Sequence, residues 1–277
     1  MSRMKSAIAS GAVLIAVFTA PVTAGEIKIG GTGAAYAVSR LLGDAFTAAH
    51  PDETVEVIPS MGSSGGIQAV SAGALQVSFS GRPLKADEKA QGLQEMPFVD
   101  TPYVFVSSHP KPQKLSTSDV VAIYTGTLPK WPDGKDISPI LRPKGDSDTG
   151  YLIETIQGMG PALEKLRQRS DVPIAGTDQD NMEAAQKTLN SFTGSTLLQV
   201  VSERPRVKIV NLDGLAPSVE AMEKGDYPLK RRLYLVAKAN SSPSAEKFIL
   251  FLRSPDAAKI LSDNGGVLVS ARTASAQ

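Results

Sequence analysis

The sequence predicts an α/β fold built as two lobes with a ligand cleft between them. Three observations carry this expectation. Strand and helix patterns alternate along the chain, which favours a sheet of parallel strands flanked by helices. Turns rich in glycine and hydroxyl residues repeatedly separate a strand from the helix that follows it. Two strand-like runs, near residues 104 and 230, stand where the chain would leave one lobe and return to it. The expected division is 25–103 with 231–277 for the first lobe and 104–230 for the second.

The chain has 277 residues. Arg3 and Lys5 precede an apolar and small run from Ala7 to Phe18, and Val22-Thr23-Ala24 offers a cleavage site, so residues 1–24 read as a signal peptide removed after Ala24. The run is too short to span a bilayer. Ile27 and Ile29 then alternate as a strand that breaks at Gly30-Gly31-Thr32-Gly33, and Val38, Leu41, Leu42, Ala45, Phe46 and Ala49 mark one helix face. The plan repeats: Val55–Ile58 reads as a strand, Met61–Gly66 as a tight loop, Ile67, Val70 and Ala74 as a short helix, and Val77 with Phe79 as a third strand.

Pro97–Ser108 reads as the outgoing strand. In the middle of the chain, Met182, Ala185 and Leu189 suggest a helix behind the capping candidates Thr177 and Asp178. Val207–Val210 and Leu233–Ala237 are further strands. Ala245, Phe248, Ile249 and Leu252 mark a helix, Ser254-Pro255 starts another, and Val267–Val269 reads as a last strand before a tail expected to fray.

Composition excludes several classes of function. Basic residues number 29 against 28 acidic, and removing the leader leaves 27 against 28, so no basic excess exists for nucleic acid. There is no cysteine, which removes disulfides, thiolate chemistry and a lipidated N-terminal cysteine. Only His50 and His109 are present, and no metal-ligand cluster, P-loop or dinucleotide fingerprint appears, so neither metal nor cofactor is expected.

Three segments share one design, with small hydroxyl residues and glycine where a strand gives way to a helix: Gly31-Thr32-Gly33, Gly62-Ser63-Ser64-Gly65-Gly66, and Gly145-Asp146-Ser147-Asp148-Thr149-Gly150. Helix N-termini present unpaired N–H donors and partial positive charge, which suits an oxyanion. Each segment alone is equally an ordinary capped turn. Arg142, just before the third, adds a guanidinium able to grip two oxygens at once. Arg82 reads as structural, and Glu203-Arg204-Pro205 and Lys230-Arg231-Arg232 as solvated faces or docking surface. Candidate ligand residues are Thr32, Gly33, Ser63, Ser64, Gly65, Arg142, Asp146, Ser147, Asp148, Thr149 and Gly150.

In order and spacing, the Gly-Thr-Gly loop, Gly-Ser-Ser-Gly-Gly-Ile, Ser-Gly-Arg-Pro-Leu and Arg-x-x-Gly-Asp-Ser-Asp-Thr resemble the periplasmic phosphate-binding proteins of ABC importers, from about Glu26 to Ser270. The resemblance implies a type II periplasmic-binding fold, no catalytic step, and a monomer that delivers phosphate to a membrane permease. It also implies roles: Thr32 as first-loop donor, Ser64 or Ser63 in the second, Arg142 as the arginine, Ser147 and Thr149 as the hydroxyl pair, and the N–H groups of Gly33, Gly65 and Gly150 completing the cage. The chain departs from the pattern in two places. Gly81 stands where an acidic residue usually accepts the ligand's proton, and the third motif is one residue longer, with Asp148, or Asp146 in reserve, available as acceptor. Arsenate, molybdate and phosphonate therefore stay open as ligands. So do an exported phosphoester hydrolase using Ser64 or Thr149 with help from Asp148, and a surface or adhesion role on the same scaffold.

Overall fold

The computed structural model describes residues 25–112 and 114–270. The expected leader and the last seven residues lie outside the described residues. The chain runs through β1 (Gly25–Gly31), a short 3-10 turn, α1 (Tyr36–Ala49), β2 (Glu53–Val57), α2 (Gly62–Ser71), β3 (Val77–Ser80), α3 (Ala86–Lys89) and β4 (Leu93–Ser107). It continues with α4 (Thr117–Thr125), β5 (Ser138–Pro139), α5 (Ser147–Thr155), α6 (Met159–Arg167), α7 (Asp178–Lys187), β6 (Ser191–Thr196), α8 (Leu197–Glu203), β7 (Lys208–Val210) and α9 (Val219–Lys224). Last come β8 (Lys230–Lys238), α10 (Pro243–Phe251), α11 (Pro255–Asp263) and β9 (Val267–Leu268).

The strands follow one path in the order β2-β1-β3-β8-β4-β6-β5, with β7 and β9 also pairing with β4. β1 pairs in parallel with β2 and β3, as the alternating pattern predicts. Beyond β3 the expectation of parallel strands is corrected. β8 runs antiparallel to β3 and β4, and β4 runs antiparallel to β6. The cause is connectivity, because β8 brings the chain back along the strand that took it out. β4 is long enough to serve both ends: its first part pairs with β8, and Tyr103–Val106 pairs with β6.

Two main apolar clusters flank this shared strand. One joins Ile27, Ile29, Phe46, Phe79 and Phe98 to Leu233, Leu235, Phe248 and Leu261. At its centre Phe46 meets Phe248 and Phe251 edge-on, with centroids 5.2 and 5.5 Å apart. The other gathers Phe105, Tyr124, Trp131, Leu163 and Phe192, with Phe105 and Phe192 stacked at 5.2 Å.

Some expected elements shift. The buried face of α1 is Val38, Leu42 and Phe46, four residues apart, while Leu41 is exposed. Val55–Ile58 becomes Glu53–Val57. Met61–Gly66 is not a loop, since α2 already begins at Gly62. Gly66 explains how a helix fits there: a Cβ on it would lie 2.6 Å from the Gly31 Cα, so only glycine lets α2 close on the end of β1. Leu189 is 78% exposed because α7 ends at Lys187, and Met182 and Ala185 carry its buried face.

Candidate functional site

Each predicted segment supplies its donors from the end of an element. β1 ends at Gly31, Thr32 stays extended, and its hydroxyl donates to Asp178 Oδ2 at 3.2 Å. The Ala34 N–H donates to the same oxygen at 3.1 Å, and the Gln179 amide reaches the Gly33 carbonyl at 3.0 Å. In α2, Ser63 faces inward. Its hydroxyl accepts from the Gly81 N–H at 2.8 Å and lies 3.2 Å from the Ser147 hydroxyl. Ser64 is exposed at the rim of the candidate cavity, its hydroxyl accepts from Arg82 at 3.1 Å, and Gly65 is half-buried beside it. The structure thus brings Ser63, not Ser64, to the third segment.

In the third segment Arg142 is buried. It donates to Asp146 through Nε at 3.3 Å and Nη2 at 2.9 Å, to the Ala175 carbonyl at 3.0 Å, and reaches Asp178 at 3.5 Å. Asp146 also caps α5, accepting the Asp148 N–H at 2.9 Å. Thr149 is buried, and its hydroxyl donates to the Pro143 carbonyl at 2.9 Å. Gly150, half-buried, donates its N–H to the Asp146 carbonyl. Asp148 lies between Ser147 and Thr149 in sequence, but its carboxylate faces Arg231, which donates to it at 3.0 Å.

The reading of Lys230-Arg231-Arg232 as a solvated face is therefore corrected. Arg231 is 5% exposed, with its guanidinium carbon 4.7 Å over the Tyr151 ring. Arg232 forms a two-pronged pair with Asp100 at 2.8 and 2.9 Å. Glu203 is likewise not solvated, since it accepts from Gln179 and Gln199. Arg82 is held by Glu88 at 2.8 and 2.7 Å, which fits its structural reading.

Burial and crowding shift the protonation of Asp148, Asp178 and Arg142. Burial pushes the Asp148 carboxyl up to about 7, against the pull of Arg231 and with the help of the Asp178 and Asp146 charges. Burial also raises Asp178, with Arg142 opposing. For Arg142 burial works against the charge, but Asp178, Asp146 and Asp148 more than offset it and the guanidinium is held above its usual range.

A cavity of about 460 Å³ opens over this cluster, lined by Gly81, Ser147, Gly150, Tyr151 and Arg231 among others. Thr32, Ser63, Arg142, Asp148 and Thr149 lie buried behind it. A larger hollow, about 920 Å³, sits between β4, α11 and β9, away from these donors. Its basic groups are spoken for: Arg253 by the Pro97 and Val269 carbonyls, Lys259 by Asp263. The smaller cavity is the one with converging donors, and so the better candidate. No cluster of metal-ligating side chains occurs among the described residues.

Sequence reasoning missed Asp178 and Arg231. Asp178 read as a capping candidate, yet Thr177 caps α7 in a box with Asp180, leaving the Asp178 carboxylate for the first segment. In β8 every second residue from Arg231 is buried, a period that could have placed Arg231 indoors.

Comparison with known proteins bears on the fold. The phosphate-binding protein PstS of Bacillus subtilis (strain 168) is 24% identical over 257 residues, spanning 89% of this chain and 81% of its own length. A substrate-binding protein of Clostridium perfringens, solved with bound phosphate, superposes with a TM-score of 0.77 at 22% identity, over 89% of this chain and all 100% of its own. An ABC-type phosphate transport receptor from Vibrio cholerae gives a TM-score of 0.60 at 18% identity, over 88% and 100% of the two chains. These structures share the type II periplasmic-binding fold. The sequence profile of the PBP superfamily domain matches residues 16–256, and the chain belongs to that superfamily.

Proposed function

We propose that this protein is an exported, monomeric solute-binding protein that captures inorganic phosphate, or a closely related oxyanion, and delivers it to the permease of an ABC importer. The observation that carries the reading is that the three segments are tied together by their polar groups, Thr32 and Arg142 both donating to the Asp178 carboxylate and Ser63 donating to Ser147. Residues 25–103 with 231–277 form one lobe and residues 104–230 the other, and the two hinge within β4 and at the start of β8. Residues 1–24 direct export to the periplasm and are removed.

Support comes from what the donors already hold. Thr32 and Ala34 grip an oxygen of a carboxylate, an oxyanion built into the chain, and a tetrahedral ligand offers oxygens of the same kind. Thr32, Gly33, Ser63, Gly65, Arg142, Ser147, Thr149 and Gly150 would surround the ligand, with Ser64, Asp146 and Asp148 at its margin. The names of the Bacillus and Vibrio relatives point the same way.

Hydrolysis fits less well. The Thr149 hydroxyl donates to a backbone carbonyl and the Ser64 hydroxyl accepts from Arg82, so neither has a base to activate it. Calorimetry against phosphate, arsenate, molybdate and a phosphonate, paired with solution scattering, tests the reading. Expected are saturable binding of at least one anion and a more compact particle when it binds. Absence of binding to all four would overturn the proposal.

A further inference from the structure

Gly81 and Arg231 lie side by side on the wall of the cavity. A Cβ placed on Gly81 would lie 2.8 Å from Arg231 Nη2, 2.7 Å from the Ser147 hydroxyl and 3.4 Å from the Ser63 hydroxyl. Three polar groups therefore converge where a side chain at position 81 would begin. The Nη2 that faces Gly81 is the one that donates to Asp148, while the Arg231 Nε is buried and has no hydrogen-bond partner among the described residues. A buried guanidinium N–H left unpaired is costly, and a ligand oxygen would relieve it. Tyr151 supports the guanidinium from one face, which fixes its plane.

We infer that Arg231 is a second ligand-holding arginine, set in the space that a proton-accepting acid at position 81 would need, and that the site consequently takes tetrahedral oxyanions without requiring a proton on them. This inference rests on the oxyanion reading above and adds to it a specificity. An acidic side chain facing the ligand rewards a protonated anion and repels one that has no proton. A guanidinium in that place rewards every oxygen alike. Sulfate, which carries no proton near neutral pH, then competes with phosphate.

The competing account is that Arg231 serves only as counter-charge for Asp148. Titrating phosphate and sulfate separately against wild type, Arg231→Gln, Asp148→Asn and the Arg231→Gln/Asp148→Asn double variant separates the two, with circular dichroism confirming that each is folded. Arg231→Gln is expected to weaken both anions roughly ten- to hundredfold, the worth of a charge-assisted hydrogen bond. The double variant, which has no stranded charge, is expected to stay equally weak. Wild type is expected to bind sulfate within about tenfold of phosphate, far from the roughly 10⁴-fold rejection that an unmet polar group gives.

Three results would overturn the inference while leaving phosphate capture standing. One is a folded Arg231→Gln protein that binds phosphate within twofold of wild type. Another is recovery of wild-type affinity in the double variant. The third is strong rejection of sulfate by wild type that disappears in Asp148→Asn, which would make Asp148 the reader of the proton. If wild type binds neither anion, the role of Arg231 falls, and calorimetry with arsenate, molybdate and a phosphonate then decides whether the functional reading falls with it.

Discussion

Asp148 offers a measurable link between the site and the stability of the fold. Its carboxyl is buried beside Arg231, with Asp178 and Asp146 close by, and burial pushes it up to about 7 from an ordinary 3.8. A carboxyl raised in the folded state binds its proton more tightly there than in the unfolded chain. Its contribution is fully present below about pH 4 and lost as the pH rises through 7. At about 1.4 kcal/mol per tenfold change in proton affinity, the full effect is on the order of 4 kcal/mol, and roughly half of it or a little more falls between pH 5 and pH 8. Asp148→Asn removes this titration and keeps a side chain of the same shape. Urea denaturation of both proteins at intervals from pH 5 to pH 8 isolates the contribution, because other groups titrate in both. Wild-type stability is expected to fall relative to the variant by roughly 2–3 kcal/mol across that interval. A constant offset would show that Arg231 keeps the carboxylate ionised throughout, and the reasoning from burial would fail.

Other expectations follow from contacts already described. Arg142→Ala should weaken oxyanion binding by about 2–5 kcal/mol in calorimetry, with Arg142→Lys recovering only part, since a lysine cannot reproduce the fork. Ser63→Ala should cost about 1–3 kcal/mol of binding and Ser64→Ala less, since the Ser64 hydroxyl at the cavity rim is exposed and already paired with Arg82, a contrast that equal losses in the two titrations would contradict. Phe46→Ala should lower unfolding free energy by about 3–5 kcal/mol in the same urea assay, because it empties the space between Phe248 and Phe251.

The sequence made some features legible and hid others for reasons that can be stated. The first strand, its glycine turn and α1 were readable because local rules fix them: alternation, then glycine, then apolar residues at helical spacing. Ser63 and Ser64 were not separable while Met61–Gly66 read as a loop. Once α2 is known to begin at Gly62, Ser63 shares a face with Ile67 and Val70, and the inward serine is determined. Arg231 was misread because three consecutive basic residues look like a solvated face, although strand period places the middle one on the side of Leu233 and Leu235. Asp178 was harder. Its partners Thr32 and Ala34 are nearly 150 residues away in sequence, and no local pattern announces a contact of that reach.

The route of β4 and β8 also constrains how the chain acquires its fold. Val77 of β3 pairs with Ala237, about 160 residues later, and Leu93 of β4 pairs with Lys238. Until residues 230–238 are available, β3 has only β1 beside it and β4 has an open edge, exposing the kind of unpaired strand edge that recruits other chains. The helices α4 to α9 can form locally in that interval, but the first apolar cluster stays incomplete without Leu233, Leu235 and Phe248. Such distant pairing raises contact order and slows folding, since the loop must close before the contacts reward it. Chains stopped before residue 230 should accordingly aggregate instead of yielding a stable N-terminal fragment, so the last fifth of the chain acts as the keystone of the first.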